Sequence, residues 1–161
     1  MAAVDYFLKL DGIVGESADA KHKGEIEVLS FSFGETLAGA GGQPGGGGAG
    51  KVEMTDFAFM AGTSKASPML FQHCASGRHI KQALLTLRKA GKGQLEYLKI
   101  KLEDVLVSSY SLSGQESEGN PHDAFSLNFQ KISFDYRPQA PDGSLAAAVH
   151  GGWDLKKNAK L

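Results

Sequence analysis

The chain has 161 residues, 42% of them hydrophobic, with a formal net charge of −1. That length suits one domain around one substantial core, and the near-neutral balance carries no electrostatic footprint for nucleic acid or an anionic membrane surface. No apolar run approaches the roughly 20 residues that membrane insertion requires, and Met1-Ala2-Ala3-Val4-Asp5 lacks the basic and apolar parts of a cleaved signal peptide.

Residues 4–10 alternate, with Tyr6, Leu8 and Leu10 on one side and Asp5 and Lys9 on the other. This is the period-two pattern of a half-buried strand. Asp11-Gly12 signals a turn. Residues 25–33 alternate again. Leu29, Phe31 and Phe33 form the expected core face, and Val28, Ser30 and Ser32 a milder face suited to solvent or a partner. Residues 39–50 are dominated by glycine and cannot bury enough apolar surface to offset their conformational entropy. A mobile loop is expected there, leading into an extended stretch from Val52 to Phe59.

Ser67 is a candidate helix N-cap with Pro68 at the first helical position. Met69, Leu70, Phe71, Cys74 and Ala75 supply an apolar face, and Gly77 a C-terminal cap. Residues 79–89 fit helix or strand; the following Gly91-Lys92-Gly93 turn favours a strand in a hairpin. In residues 95–107 the apolar positions are Leu98, Ile100 and Leu102, then Val105 and Val107. In residues 125–136 they are Phe125, Leu127 and Phe129, then Ile132, Phe134 and Tyr136. The phase flips near Glu103-Asp104 and near Gln130-Lys131, so each strand is expected to carry a β-bulge or a corner. Long strands that bend once curl a sheet into a barrel. The expected fold is mainly β: a small barrel of two curled antiparallel sheets, one short α-helix and an extended glycine-rich loop. Trp153 and Leu155 mark a last short strand or anchor.

No constellation spells out catalysis. Gly45-x4-Gly50-Lys51 approaches a phosphate-binding loop, but Val52 stands where Ser or Thr should follow, and a strand follows instead of a helix. His73 and Cys74 are neighbours whose side chains diverge by about 100° on a helix, and Cys74 is expected to be a buried, inert thiol. The one cysteine excludes an intrachain disulfide and fits a reducing compartment. His22, His73, His79, His122 and His150 show no metal-ligand spacing. Glu16, Asp19, Glu116 and Glu118 read as solvated loop carboxylates. No Gly-x-Ser-x-Gly elbow is present. The expectation is no catalytic residue, no cofactor and no metal.

The segments Tyr6-Phe7-Leu8-Lys9-Leu10-Asp11-Gly12, Glu25-Ile26-Glu27-Val28-Leu29-Ser30-Phe31-Ser32-Phe33-Gly34, Ser67-Pro68-Met69-Leu70-Phe71, Leu87-Arg88-Lys89-Ala90-Gly91 and Ser126-Leu127-Asn128-Phe129-Gln130-Lys131-Ile132 occur in one order across the chain. Together with Gly152-Trp153-Asp154, they resemble the haemolysin-coregulated protein (Hcp) family of bacterial type VI secretion. The resemblance covers nearly the whole chain as a single domain, 1–161, including the glycine-rich insert at 37–51. It implies a subunit that forms homohexameric rings stacked into a tube, with a VgrG spike at its tip and a contractile sheath around it. It also implies effector proteins carried in the lumen, and a protein that is cytoplasmic before firing and then leaves through the apparatus without a cleaved signal peptide. Leu161 soon follows Trp153, so no appended effector domain is expected. On this reading Leu37, Gly39, Gln43, Pro44, Gly47, Gly50 and Lys51 belong to a ring-stacking loop. Val28, Ser30 and Ser32 line the lumen or an interface. The competing readings are a small enzyme and a monomeric ligand-binding barrel with an apolar interior cavity.

Overall fold

The computed structural model describes residues 4–37, 51–91 and 93–161. In chain order the elements are β1 (Val4–Leu10), β2 (Ile26–Ser32), β3 (Glu35–Leu37), β4 (Val52–Met54), β5 (Phe57–Gly62), α1 (Ser67–Ser76), β6 (Ile80–Lys89), β7 (Glu96–Ser113), β8 (His122–Tyr136), β9 (Val149–Asp154) and β10 (Ala159–Lys160). Strands β8, β5, β2, β1, β6 and β7 are hydrogen-bonded in that order, and β7 pairs back onto β8. A six-stranded antiparallel barrel results, the mainly β fold expected. β9 and β10 extend the sheet beyond β8, and β3 with β4 makes a separate hairpin.

Alternation fills the barrel. Leu8, Phe57, Leu85, Val105 and Leu127 point inward and are at most 2% exposed. A file of stacked rings runs through it: Phe33, Phe57, Phe59 and Phe125 have successive centroid separations of 5.4, 4.9 and 5.3 Å. Such offset aromatic contacts add to the area they bury.

The two expected phase flips stand opposite each other. Glu103 pairs with Lys131 and Val105 with Phe129, so the register is unchanged across the flip. Of bulge or corner, the corner is what forms: both strands turn at one level. Asp104 makes the turn on β7 with φ +53°, a left-handed conformation that Asp tolerates better than most residues. A register shift occurs farther along, between Val107 and Ser109.

Three local expectations are corrected. In β2 the register shifts between Val28 and Ser30, and the extra residue reverses the faces. Val28 is therefore core, whereas Leu29 is 57% exposed. Ser30 and Ser32 remain outward. In α1 the N-cap is Ala66, and Ser67 is the first helical residue. Its hydroxyl accepts from the Ser64 N–H and donates to Asp123. The buried face of α1 carries Leu70 and His73, while Phe71 is exposed and Cys74 half-buried. Gly77 closes the helix as expected, at φ +68°, donating to the His73 carbonyl. Residues 80–89 form the strand favoured over a helix.

Candidate functional site

Two rows on the outer surface of β2, β5, β8 and β7 carry uncharged, mostly small side chains in register. One row runs Ser30, Met60, Ala124 and Ser111; the next runs Ser32, Ala58, Ser126 and Ser109. The same alternation that sends Phe57, Phe59, Phe125 and Leu127 inward sends these residues out. Ser108 and Ser109 Oγ lie 2.7 and 2.5 Å from Ser126 Oγ, because the register shift at Val107/Ser109 presents two serines to one. No row carries an ionisable group, so the surface offers shallow hydrogen bonding and one exposed thioether. The expected set of Val28, Ser30 and Ser32 is thus divided: the two serines join this face and Val28 does not. Ala58, Met60, Ala124, Ser126 and Ser111 are contributions missed from the sequence. The signal was alternation of small with aromatic residues in 57–62 and 122–127; the missing knowledge was strand order.

The base of the glycine-rich insert is the β3–β4 hairpin, in which Leu37 pairs with Val52. Leu37 is 64% exposed, and Lys51 is exposed as well. Gly39, Gln43, Pro44, Gly47 and Gly50 lie outside the described residues, as does the mobile loop expected there. Under the hairpin a groove of about 830 Å³ opens against β8 and β9, lined by Phe33, Leu37, Met54, Phe134 and Trp153 among others. The Trp153 indole N–H is buried there without a partner among the described residues.

Several titratable groups have structural partners. Asp123, 2% exposed, accepts hydrogen bonds from Thr63, Ser67 and Tyr110. That ties the ends of β5, α1, β7 and β8 to one carboxylate. Burial first, and then the bond to Asp123, pushes the Tyr110 phenol above its ordinary range. His73 Nδ1 lies 2.8 Å from the Met69 carbonyl, one turn back along α1. Glu116 and Glu118 sit on an exposed 3-10 turn. Asp19 is no solvated loop acid, since it binds Arg88 through both oxygens. Among the described residues no group of three or more His, Cys, Asp or Glu is placed to hold a metal ion. No helix among them is long and apolar enough to cross a membrane.

The comparisons agree with this architecture. The family described as type VI secretion system effector, Hcp, matches residues 7–136. Protein hcp1 of Pseudomonas aeruginosa is 43% identical over 160 residues, covering 98% of this chain and 99% of that protein. The crystal structure of Hcp1 from Salmonella typhimurium superposes with a TM-score of 0.82 at 37% identity, covering 99% of this chain and all of the other. A structure titled as a type six secretion system protein reaches a TM-score of 0.92 at 28% identity, over 99% of this chain. The closed barrel, the flanking strands and the sequence match together make this chain a member of the Hcp family of type VI secretion proteins.

Proposed function

We propose that this Hcp-family chain is the tube subunit of a type VI secretion apparatus, acting as one domain without catalysis. Six copies close into a ring, and rings stack into a tube surrounded by the contractile sheath and tipped by VgrG. Effector proteins travel in the lumen, and the subunit itself leaves the cytoplasm through the apparatus. The observation that carries this reading is the uncharged face spanning β2, β5, β8 and β7. Placed toward a lumen, it would hold folded cargo through many weak contacts without binding it irreversibly. The exposed β3–β4 hairpin and the insert of residues 37–51 are assigned to ring stacking. Head-to-tail contacts that close by rotation give such rings.

Negative-stain electron microscopy with size-exclusion chromatography at micromolar concentration tests the reading. Six-fold rings with an open centre are expected. A monomer at every concentration and salt overturns it. The groove under the β3–β4 hairpin favours a second reading, a monomeric ligand-binding barrel. The barrel interior is filled by side chains, so that reading would rest on the groove alone.

A further inference from the structure

On the outer wall of β1 and β6, Phe7 pairs with Thr86 and Asp5 with Arg88. Their neighbours Leu8, Leu85 and Leu87 point into the barrel core, so Phe7, Thr86 and Arg88 point away from it. They are nevertheless only 3%, 1% and 3% exposed. Residues 14–25 cover them. This connection runs back across the wall and folds on itself. The Gly15 N–H donates to the Gly24 carbonyl, the Gly24 N–H to Ser17, and the Ser17 N–H to Glu25. The backbone approach is so close that a Cβ on Gly15 would stand 2.6 Å from the Glu25 carbonyl oxygen.

What fastens the strap is charge. His22 lies flat on Phe7, with centroids 4.4 Å apart and planes 6° apart. The Arg88 guanidinium carbon is 4.8 Å from the same ring centroid. Nδ1 of His22 is 2.8 Å from Glu25 Oε2, and Nε2 is 2.7 Å from Glu96 Oε1. An ionised carboxylate only accepts, so with both partners ionised both contacts require an N–H, and only the imidazolium has two. Glu96 remains ionised beside it. Burial pushes its carboxyl up, but the hydrogen bonds from His22 and then Lys99 more than offset this and hold it below the usual range. The charged groups around His22 are therefore Glu25 on the strap and Glu96 with Lys99 on β7. Arg88 on β6 lies beyond, clasped by Asp5 of β1 and Asp19 of the strap.

We propose that residues 14–25 are a proton-operated strap, clamped to β7 while the His22 ring carries two protons and released from Glu96 when the proton on Nε2 is lost to water. A neutral ring satisfies one carboxylate and turns a lone pair toward the other. The sign follows: loss of that proton removes one of the two bonds of the clamp, so the strap is closed at lower pH and loosens as pH rises. Opening would uncover Phe7 and Arg88 on the wall across the barrel from the β5–β8 pair.

The test uses the full chain with ¹⁵N-labelled histidine, followed from about pH 6 to about pH 9, a span that brackets ordinary histidine titration. Amide hydrogen exchange of Gly15, Ser17 and Gly24 is measured alongside and corrected for intrinsic rates. The expected result is a His22 ring protonated on both nitrogens at the acid end. Strap exchange should then rise about tenfold or more as that signal disappears, while Leu8 stays protected. Glu96→Gln should move the step to lower pH, and His22→Gln should remove it. His79→Gln, which alters only an exposed pair with Asp104, should leave it in place. A neutral His22 ring at the acid end, or corrected strap exchange that is flat with pH, overturns the proposal. Should His22→Gln not fold, the wild-type and Glu96→Gln titrations decide. Ring assembly plays no part in the readout, so a failure here leaves the tube reading untouched.

Discussion

Asp19 grips Arg88 with both carboxylate oxygens, Oδ1 at 3.1 Å from one guanidinium nitrogen and Oδ2 at 2.8 Å from the other. The residues are 69 positions apart, and the contact pins a loop to a barrel wall. Asp5 shares the guanidinium from a third direction at 2.9 Å. Parallel hydrogen bonds between charged groups are among the strongest polar contacts a protein makes. Replacing Arg88 by Met keeps the stem over Phe7 but deserts both carboxylates. We expect a loss of about 3 kcal/mol, the lower end for opening a buried pair, because Asp5 and Asp19 can rehydrate. Urea unfolding measures it, and a change under about 0.5 kcal/mol would reject the pair as a stabilising contact.

The same cluster sets the acid response. The hydrogen bond from Arg88, and after it the Lys21 N–H, hold the Asp19 carboxyl well below its ordinary range. Glu96 is also lowered. Groups lowered by folding supply stability that is complete above the ordinary carboxylate range and drains as pH falls toward their folded values. The melting temperature is therefore expected to drop from about pH 5 downward. Asp19→Asn should start lower and fall less steeply, and parallel profiles for the two proteins would contradict this.

Asp123 collects three hydroxyl donors in a nearly dry site. Asp123→Ala strands all three and is expected to cost about 3 kcal/mol, whereas Tyr110→Phe removes one bond and should cost about 1 kcal/mol. Thermal unfolding of both variants checks the ratio. Equal losses would show that the Tyr110 bond alone, not the network, carries the effect.

Substitutions on the small-residue face should separate stability from function. Ala58→Glu and Ser126→Trp project outward from the barrel, so each is expected to shift unfolding by no more than about 0.5 kcal/mol. On the proposed carrier role, both should reduce co-purification of an effector, the first by charge and the second by bulk. Unchanged cargo retention in both variants would remove this face from the carrier role.

Much of the barrel was legible because burial in a strand has period two. Leu8, Leu127 and Val105 all fell on predicted inward positions. The phase reversals at Glu103-Asp104 and Gln130-Lys131 were legible for the same reason. Val28 and Leu29 were read the wrong way round because one extra residue in β2 swaps faces, and seven residues of alternation cannot locate it. Ser67 looked like a cap but serves Asp123, a partner 56 positions away. The strap was invisible for a similar reason. Asp19, His22, Arg88 and Glu96 form no local motif and meet only once the chain closes β1 against β6 and β6 against β7.

Asp104 offers a clean probe of the corner. Its φ of +53° suits Gly and is tolerated by Asp, while a β-branched residue is strained there. Asp104→Val is expected to destabilise by about 1–2 kcal/mol, and Asp104→Gly to change stability by less than about 0.5 kcal/mol. If Val were tolerated as well as Gly, the left-handed turn would not be a requirement of the bend.

Because β7 and β8 turn together at Asp104 and Gln130 with nothing inserted, the two strands are locked in length. One residue added to either alone before the corner would put its bend out of step with its neighbour's. Every side chain beyond would exchange inside for outside, sending Phe125 and Leu127 to the surface and Ala124 and Ser126 into the core. Length changes in this hairpin are therefore accepted as matched pairs, at a bulge such as the one between Val107 and Ser109, or at its far tip beyond Ser113 and before His122. Length variation among relatives should collect at that tip and leave the corner untouched.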